Sequence, residues 1–206
     1  MSPLALGVDV AARRGCDVVA LGDDLVALPV ARVHTAEDLR AVLADLDPDV
    51  VGIDSPPRWA IQGPRACERA LTRRGISVFT TPDEATGVGH PFYAWMQTGF
   101  AMFEAARGYP TLETYPHAAA IALRRARPEG SLMKRPAQKR QWRRDALAGA
   151  GIDPAALRTI DQIDAALCAA TGRWYLEGRT EDLGDPAEGV LTVPLGLDAI
   201  RPRDTP

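Results

Sequence analysis

The chain has 206 residues, 46% of them hydrophobic and 25% charged, and its formal net charge is -3. This is the composition of an ordinary globular domain that is long enough to bury one full core. It excludes a uniformly basic nucleic-acid coat, so any nucleic-acid binding has to come from a local patch of positive charge.

The cysteines and the apolar runs indicate the compartment. Cys16, Cys67 and Cys168 form no Cys-x-x-Cys pair, which argues against a disulfide framework or a zinc site and favours a reducing environment. The start of the chain lacks the pattern of a signal peptide. No stretch approaches the roughly 18 apolar residues of a membrane-spanning helix. We therefore expect a cytoplasmic protein with no membrane partner.

The first part of the chain predicts the order β-β-β-α-β. Strands are predicted over residues 4–11, 16–21, 25–33 and 50–54. Gly22-Asp23-Asp24 is typical of the turn of a hairpin between the second and third strands. Thr35 is the predicted N-cap of a helix over residues 36–46, where leucines and a valine recur at helical spacing. This crossover is long enough to place the fourth strand parallel to the first.

The rest of the chain predicts helices with further short strands. Helices are predicted over 65–74, 92–107, 117–126 and 159–175, and strands over 76–80, 111–116 and 190–194. Residues 81–91 and 178–189 are typical of loops, and a loop as long as the first is uncommon unless it serves a site. We predict one domain over residues 1–197, with an inserted loop and helix at about 76–108, and a polar tail over 198–206.

Two aspartates end strongly apolar strands, Asp9 the first strand and Asp54 the fourth. If these strands are parallel neighbours, both carboxylates lie at the carboxyl edge of the sheet, where open α/β sheets bind ligands. The two acids would repel each other unless a proton or a cation lies between them. Mg²⁺ and Mn²⁺ are the cations that such hard oxygen ligands prefer.

Three further acids are candidates for the same site. Glu113 lies in a predicted strand, where it suits either a metal contact or a structural salt bridge. Asp161 and Asp164 are three residues apart on the last predicted helix, so they occupy neighbouring positions of one face. The alternative for each acid is an ordinary cap or surface charge.

Five short motifs together are typical of one family. They are Gly7-Val8-Asp9-Val10-Ala11, Gly52-Ile53-Asp54-Ser55-Pro56-Pro57, Arg65-Ala66-Cys67-Glu68, Glu113-Thr114-Tyr115-Pro116-His117-Ala118 and Asp161-Gln162-Ile163-Asp164-Ala165-Ala166. In this order, from Leu4 to Pro194, the chain resembles the family known as domain of unknown function 429, whose members are described as predicted RNase H-like nucleases. The resemblance implies an α/β protein of the RNase H-like fold, in which a mixed five-stranded sheet is flanked by helices.

Within that fold the chain resembles Holliday-junction resolvases of the RuvC type, which combine a first-strand aspartate, an acid after the fourth strand and two acids on the last helix. The resemblance implies that Asp9, Asp54 and Asp164 hold Mg²⁺ or Mn²⁺ for a two-metal hydrolysis of DNA or RNA, assisted by Glu113 or Asp161. The hypothesis fails if these carboxylates point to different sides of the molecule, or if each is already neutralised by an arginine.

Residues 124–144 form the strongest block of positive charge in the chain. Its basic residues on a loop and helix are predicted to bind phosphates without regard to base sequence, and these are Lys134, Lys139, Arg140, Arg143 and Arg144. Trp142, in the same block, could stack on a base. The alternative is a solvated helix face with Trp142 packed inward.

Two other residues are candidates for contact with the substrate. Arg65 could flank the site after Asp54, or it could serve surface solubility alone. His117 begins a helix near Glu113 and could position water or phosphate, although capping and packing are commoner roles for such a histidine. The remaining tryptophans are predicted to pack in the core or in the inserted segment, and these are Trp59, Trp95 and Trp174.

Two classes of function follow from this pattern. The first is a metal-dependent nuclease whose partner is nucleic acid. The second is a member of the same fold that binds nucleic acid or protein without cleaving it. A phosphotransfer or ATPase relative of the fold would need a second domain and glycine-rich phosphate hairpins, which this chain lacks. The sequence leaves the oligomeric state open, with a homodimer among the alternatives.

Overall fold

The structure, a computed structural model, describes residues 3–129 and 134–198. Its strands are β1 (Ala5–Asp9), β2 (Cys16–Leu21), β3 (Ala27–Val33), β4 (Val50–Ile53), β5 (Thr111–Glu113), β6 (Thr180–Asp185) and β7 (Gly189–Pro194). Its α-helices are α1 (Ala36–Leu46), α2 (Ala66–Arg73), α3 (Glu84–Gly87), α4 (Ala94–Ala105), α5 (Pro116–Arg124), α6 (Pro136–Gly149) and α7 (Ile160–Leu176). A 3-10 helix over Pro91–Tyr93 precedes α4.

The strands form one sheet in the order β3-β2-β1-β4-β5-β7-β6. β1 is antiparallel to β2 and parallel to β4, and β4 is parallel to β5. The helix α1 makes the predicted crossover between β3 and β4. This arrangement confirms the RNase H-like fold, but the described sheet has seven strands where five were predicted.

The sheet is covered on both faces. On one face, α2, α5 and α7 bury their apolar side chains against it, and α6 packs on the outside of α5 and α7. On the other face, α1 and α4 contribute Leu39, Leu43 and Met102 to a second cluster. Because β1 and β4 are buried on both faces, they consist of continuous apolar residues rather than an alternating pattern.

Glycines let α7 lie directly on the backbone of the two central strands. A Cβ atom on Gly52 would lie 2.5 Å from the carbonyl oxygen of Cys168, and one on Gly7 would collide with the carbonyl oxygen of Ala165. Such close approaches are open only to glycine. The glycine two residues before each strand-end aspartate therefore fixes the distance between the strands and the last helix.

Three predicted segments differ in the structure. Residues 81–91 were predicted to be a loop, but Glu84–Gly87 within them form α3. Residues 180–185 were predicted to be a loop but form β6, an edge strand in which Leu183 alone is buried. Residues 76–80 were predicted to be a strand but have no regular structure. Most of the predicted polar tail, residues 199–206, lies outside the described residues, and the domain limits stay a prediction. In the described ranges, no helix is both long and apolar enough to cross a lipid bilayer.

Candidate active site

The carboxyl ends of β1 and β4 bring Asp9 and Asp54 side by side. Val8 pairs with Ile53 in the parallel register, and the backbone N–H of Asp54 donates a hydrogen bond of 3.0 Å to the carbonyl oxygen of Val8. Among residues 3–129 and 134–198, neither carboxylate has a hydrogen bond or an ion pair. The sheet therefore presents two adjacent acids whose charges no described side chain neutralises directly.

The helix α7 brings further acids to this edge. It begins with a capping box, in which the side chain of Thr159 accepts a hydrogen bond of 3.1 Å from the backbone N–H of Gln162. Asp164, in the second turn, lies over the strand ends because α7 rests on their glycines. Asp161 forms an ion pair of 3.4 Å with Arg14, whose side chain is 72% exposed, so this pair contributes little to stability.

The three innermost acids repel one another. Burial raises the pKa of Asp9 well above its ordinary value, and the charges of Asp54 and Asp164 raise it further. Burial, followed by the charge of Asp164, raises the pKa of Asp54 to about 8. Burial also raises the pKa of Asp164, while Arg143 opposes that shift. A proton or a cation bound at this cluster would relieve the repulsion.

A buried arginine already pairs with one of these acids. Arg143 of α6 is 5% exposed and forms an ion pair with Asp164. Nε of Arg143 nevertheless has no hydrogen-bond partner among the described residues, so the pair offsets the cost of burying the two charges only in part. Arg143 thus neutralises one acid of the three, which leaves Asp9 and Asp54 without such a partner among the described residues.

The donor set fits one divalent cation better than two. Mg²⁺ is commonly held by one or two carboxylates together with water and substrate phosphate, which is the chemistry that Asp9 and Asp54 offer. Asp164 would be a third ligand only after leaving Arg143. In the part of the chain that the structure describes, no three His, Cys, Asp or Glu side chains are grouped as a ready metal site.

Glu113 lies beside this cluster but is fully paired. Its carboxylate accepts hydrogen bonds from Arg65 Nη1 at 2.8 Å and Nη2 at 2.5 Å. Nε of Arg65 donates to Glu68 at 3.0 Å. Arg65 is 2% exposed, whereas the sequence predicted a residue free to bind substrate. The structure therefore places Arg65 as the buried partner of two carboxylates, and Glu113 in the salt bridge that was its alternative role.

A cleft of about 290 Å³ opens over the acids. Its lining includes Asp54, Asp164, Lys139, Arg143 and His117. Burial and the charge of Arg143 lower the pKa of Lys139, while the nearby aspartates oppose this. Burial lowers the pKa of His117 to about 4, and its Nδ1 has no hydrogen-bond partner within the part of the chain that the structure describes. The cleft thus combines a cationic side chain, a neutral imidazole and acids in one small volume.

The comparisons with known proteins agree with the motif pattern. A family model described as "Protein of unknown function (DUF429)" matches residues 7–189. The chain belongs to the DUF429 family. The matched range contains every acid of the cluster and all of the cleft lining except Leu191. No curated protein matches this DUF429 chain.

Among solved structures, the DUF429 chain is similar to Thermus thermophilus RuvC in complex with a Holliday junction substrate. The two are 14% identical, with a TM-score of 0.47, and the match covers 92% of this chain and 99% of that chain. A second structure of Thermus thermophilus RuvC is 16% identical, with a TM-score of 0.42, and the match covers 85% of this chain and 96% of that chain. At these identities, neither similarity carries information on activity.

The structure separates the predicted substrate residues of the DUF429 protein. Lys139 and His117 line the cleft, but Lys134 and Arg140 are exposed and do not. The pairing of Arg143 with Asp164 was not predicted. The sequence offered one hint of it, because Arg143 follows Lys139 by four residues on a helix, and both side chains therefore extend from one face.

Proposed function

We propose that this DUF429 protein hydrolyses phosphodiester bonds of DNA or RNA with the help of Mg²⁺ or Mn²⁺. The observation that carries the proposal is the adjacency of Asp9 and Asp54 at the carboxyl ends of two parallel strands, without a neutralising side chain among the described residues. The raised pKa of Asp54 supports it, because burial and the charge of Asp164 disfavour its ionised form, and a bound cation would relieve that repulsion.

Each residue has a role in the proposal. Asp9 and Asp54 would hold the cation, and Asp164 would join them when its arginine moves away. When bound there, a divalent ion supplies Lewis acidity toward a phosphate oxygen. Lys139 and Arg143 would neutralise the phosphate by charge, which they can do because both line the cleft. A two-metal mechanism would require Asp164 to be released from Arg143.

The unpartnered Nδ1 of His117 would accept or donate one hydrogen bond to a phosphate oxygen or to the attacking water. Its low pKa keeps the imidazole neutral at pH 7, so it would orient a group rather than add positive charge. Glu113 and Arg65 would not touch substrate, since their bonds to each other hold β5 against the start of α2.

Cleavage assays with matched variants test the proposal. The purified protein is incubated with single-stranded DNA, duplex DNA, RNA and a four-way junction, in Mg²⁺, in Mn²⁺ and in chelator. We expect at least one substrate to be cleaved. This cleavage should require the cation and should be lost in Asp9→Asn and Asp54→Asn. Asp45→Asn, an exposed position on α1, is the matched control. Absence of cleavage, together with a melting temperature that Mn²⁺ does not raise, would overturn the proposal.

The ion pair between Arg143 and Asp164 supports a second candidate, a binding protein without hydrolytic activity. In this candidate the arginine is the permanent cation of the cluster, and nucleic acid binds through Lys139 and the exposed basic residues of α6. Nucleic-acid affinity that is the same in chelator and in Mn²⁺, with no cleavage, would favour it over the nuclease.

A further inference from the structure

Three aromatic side chains lie together at the mouth of the cleft. Phe79 is 5.6 Å from Phe92 and 6.4 Å from Trp95, measured between ring centroids. Phe79 is 62% exposed and Phe92 is 51% exposed. Phe79 and Trp95 line the same cleft as Asp54. We call these three rings the aromatic rim.

The aromatic rim contributes little to the core. Another pair from this region, Trp59 and Phe100, packs edge to face at 4.7 Å, and a Cβ on Gly87 would collide with the ring of Trp59. Those rings are therefore enclosed by their neighbours. Rings that stay exposed beside a cleft form the kind of apolar patch that commonly marks a binding site.

The charges of the cleft define the ligand that would fit it. The cleft has an aromatic part, the aromatic rim, and a positively charged part, so a ligand that suits both has a flat apolar ring joined to an anion. The flat ring would contact Phe79 and Trp95, and the anion would approach the positive charges of Lys139 and Arg143, which line the same cleft. A cleft of about 290 Å³ lies at the lower end of ligand pockets, so it has room for a nucleotide unit but not for a double helix.

We propose that the aromatic rim is a stacking surface for an unpaired nucleobase, whose neighbouring phosphate lies toward Lys139 and Arg143. The inference rests on the proposed function, because it places nucleic acid in the cleft. In a duplex, neighbouring bases cover both faces of each base, whereas an unpaired base exposes a face to an aromatic ring in any sequence. The substrate class is therefore single-stranded or locally unpaired nucleic acid.

Binding measurements in chelator test this proposal separately from cleavage. The probes are a labelled thymidine oligonucleotide of about 12 nucleotides, within the site sizes of single-strand binding proteins, and a blunt hairpin with the same number of phosphates. Phe79→Leu keeps an apolar side chain but removes the ring. We expect it to weaken binding of the unpaired probe by roughly tenfold, as stacking on one ring would predict, and to leave hairpin binding unchanged.

Two further variants make the result decisive. Tyr175→Leu removes another exposed ring, at the far end of α7 from Asp164, and we expect it to bind both probes as the unaltered protein does. Trp95→Leu, at the second ring that lines the cleft, should reproduce the loss seen with Phe79→Leu, and melting temperatures verify that each variant is folded. If Phe79→Leu weakens binding of both probes equally, or leaves binding of the unpaired probe unchanged, the aromatic rim does not stack on a base. That conclusion would hold whatever the cleavage assays show.

Discussion

Replacing Arg143 by methionine tests the electrostatics of the acidic cluster. Arg143 is 5% exposed and pairs with the largely buried Asp164. Removing one partner of a buried ion pair leaves an uncompensated charge, which costs about 3–5 kcal/mol. We therefore expect Arg143→Met to lower the free energy of unfolding in chelator by that amount. Replacing both partners, Arg143→Met with Asp164→Leu, should recover most of the loss, because no buried charge is then left alone.

Divalent cation should reverse much of the loss in the single variant. Without the arginine, Asp9, Asp54 and Asp164 form a cluster of three acids in which no described side chain is ion-paired with Asp164, and Lys139 is the positive charge that stays nearby. A cation that binds the folded state at a hundredfold excess over its Kd adds about 2.7 kcal/mol to the free energy of unfolding. Urea denaturation followed by circular dichroism, with Mn²⁺ and with chelator, measures both effects. We expect Mn²⁺ to stabilise Arg143→Met more than the unaltered protein.

Arg140→Met is the matched control for this experiment. Arg140 is exposed on the same helix, so its replacement should change stability by less than about 0.5 kcal/mol and leave the response to Mn²⁺ unaltered. If Mn²⁺ moves the unfolding midpoint of Arg143→Met no further than that of Arg140→Met, Arg143 does not compete with a cation for the acids, and the reasoning is refuted.

Three more predictions concern the scaffold and the cleft. Arg65→Lys should lower the free energy of unfolding by about 3 kcal/mol in urea denaturation, because one ammonium cannot replace a guanidinium that bonds two buried carboxylates. Gly7→Ala should reduce the yield of folded protein or cost about 3 kcal/mol, since its Cβ would collide with α7, whereas Gly149→Ala, with open space around it, should stabilise α6 slightly. The folded-state pKa of His117, about 4, lies below its ordinary value. The unfolded chain therefore binds a proton between about pH 6.5 and pH 4 that the folded chain does not, so that stability falls as pH falls through this window. On acidification through this window, the free energy of unfolding of His117→Asn should rise relative to that of the unaltered protein by up to about 3 kcal/mol, at about 1.4 kcal/mol per pKa unit. Denaturation curves at several pH values measure this difference, and a difference that stays constant across the window would contradict the prediction.

The parts of the fold that local chemistry determines were predictable. The apolar runs that became β1 and β4 were found because strands buried on both faces have no polar positions. The start of α1 was predicted from Thr35 as its N-cap, and in the structure Thr35 and Asp38 form a capping box with bonds of 3.1 and 3.0 Å. β6 was missed because an exposed edge strand has few apolar residues, and its pairing with β7 is visible only in three dimensions.

The candidate site was predictable in part for a similar reason. Each acid could be placed at the end of a strand or on a helix face, but its partner could not. Arg65 and Glu113 are 48 residues apart, and Arg143 reaches Asp164 only because α6 packs against α7. The aromatic rim was missed since the sequence does not show that residues before α3 and at the start of α4 lie side by side.

Gly7 and Gly52 leave no space between the backbones of the strands and of α7. The three acids are consequently carried by tightly packed main chain, while the arginine comes from a separate helix. Adapting the cluster to an ion of larger radius would require displacement of main chain, whereas cancelling or restoring its negative charge requires only that one side chain swing. Substitutions that change the charge of the cluster in small steps are therefore expected to lie in α6 and to leave β1, β4 and α7 unchanged.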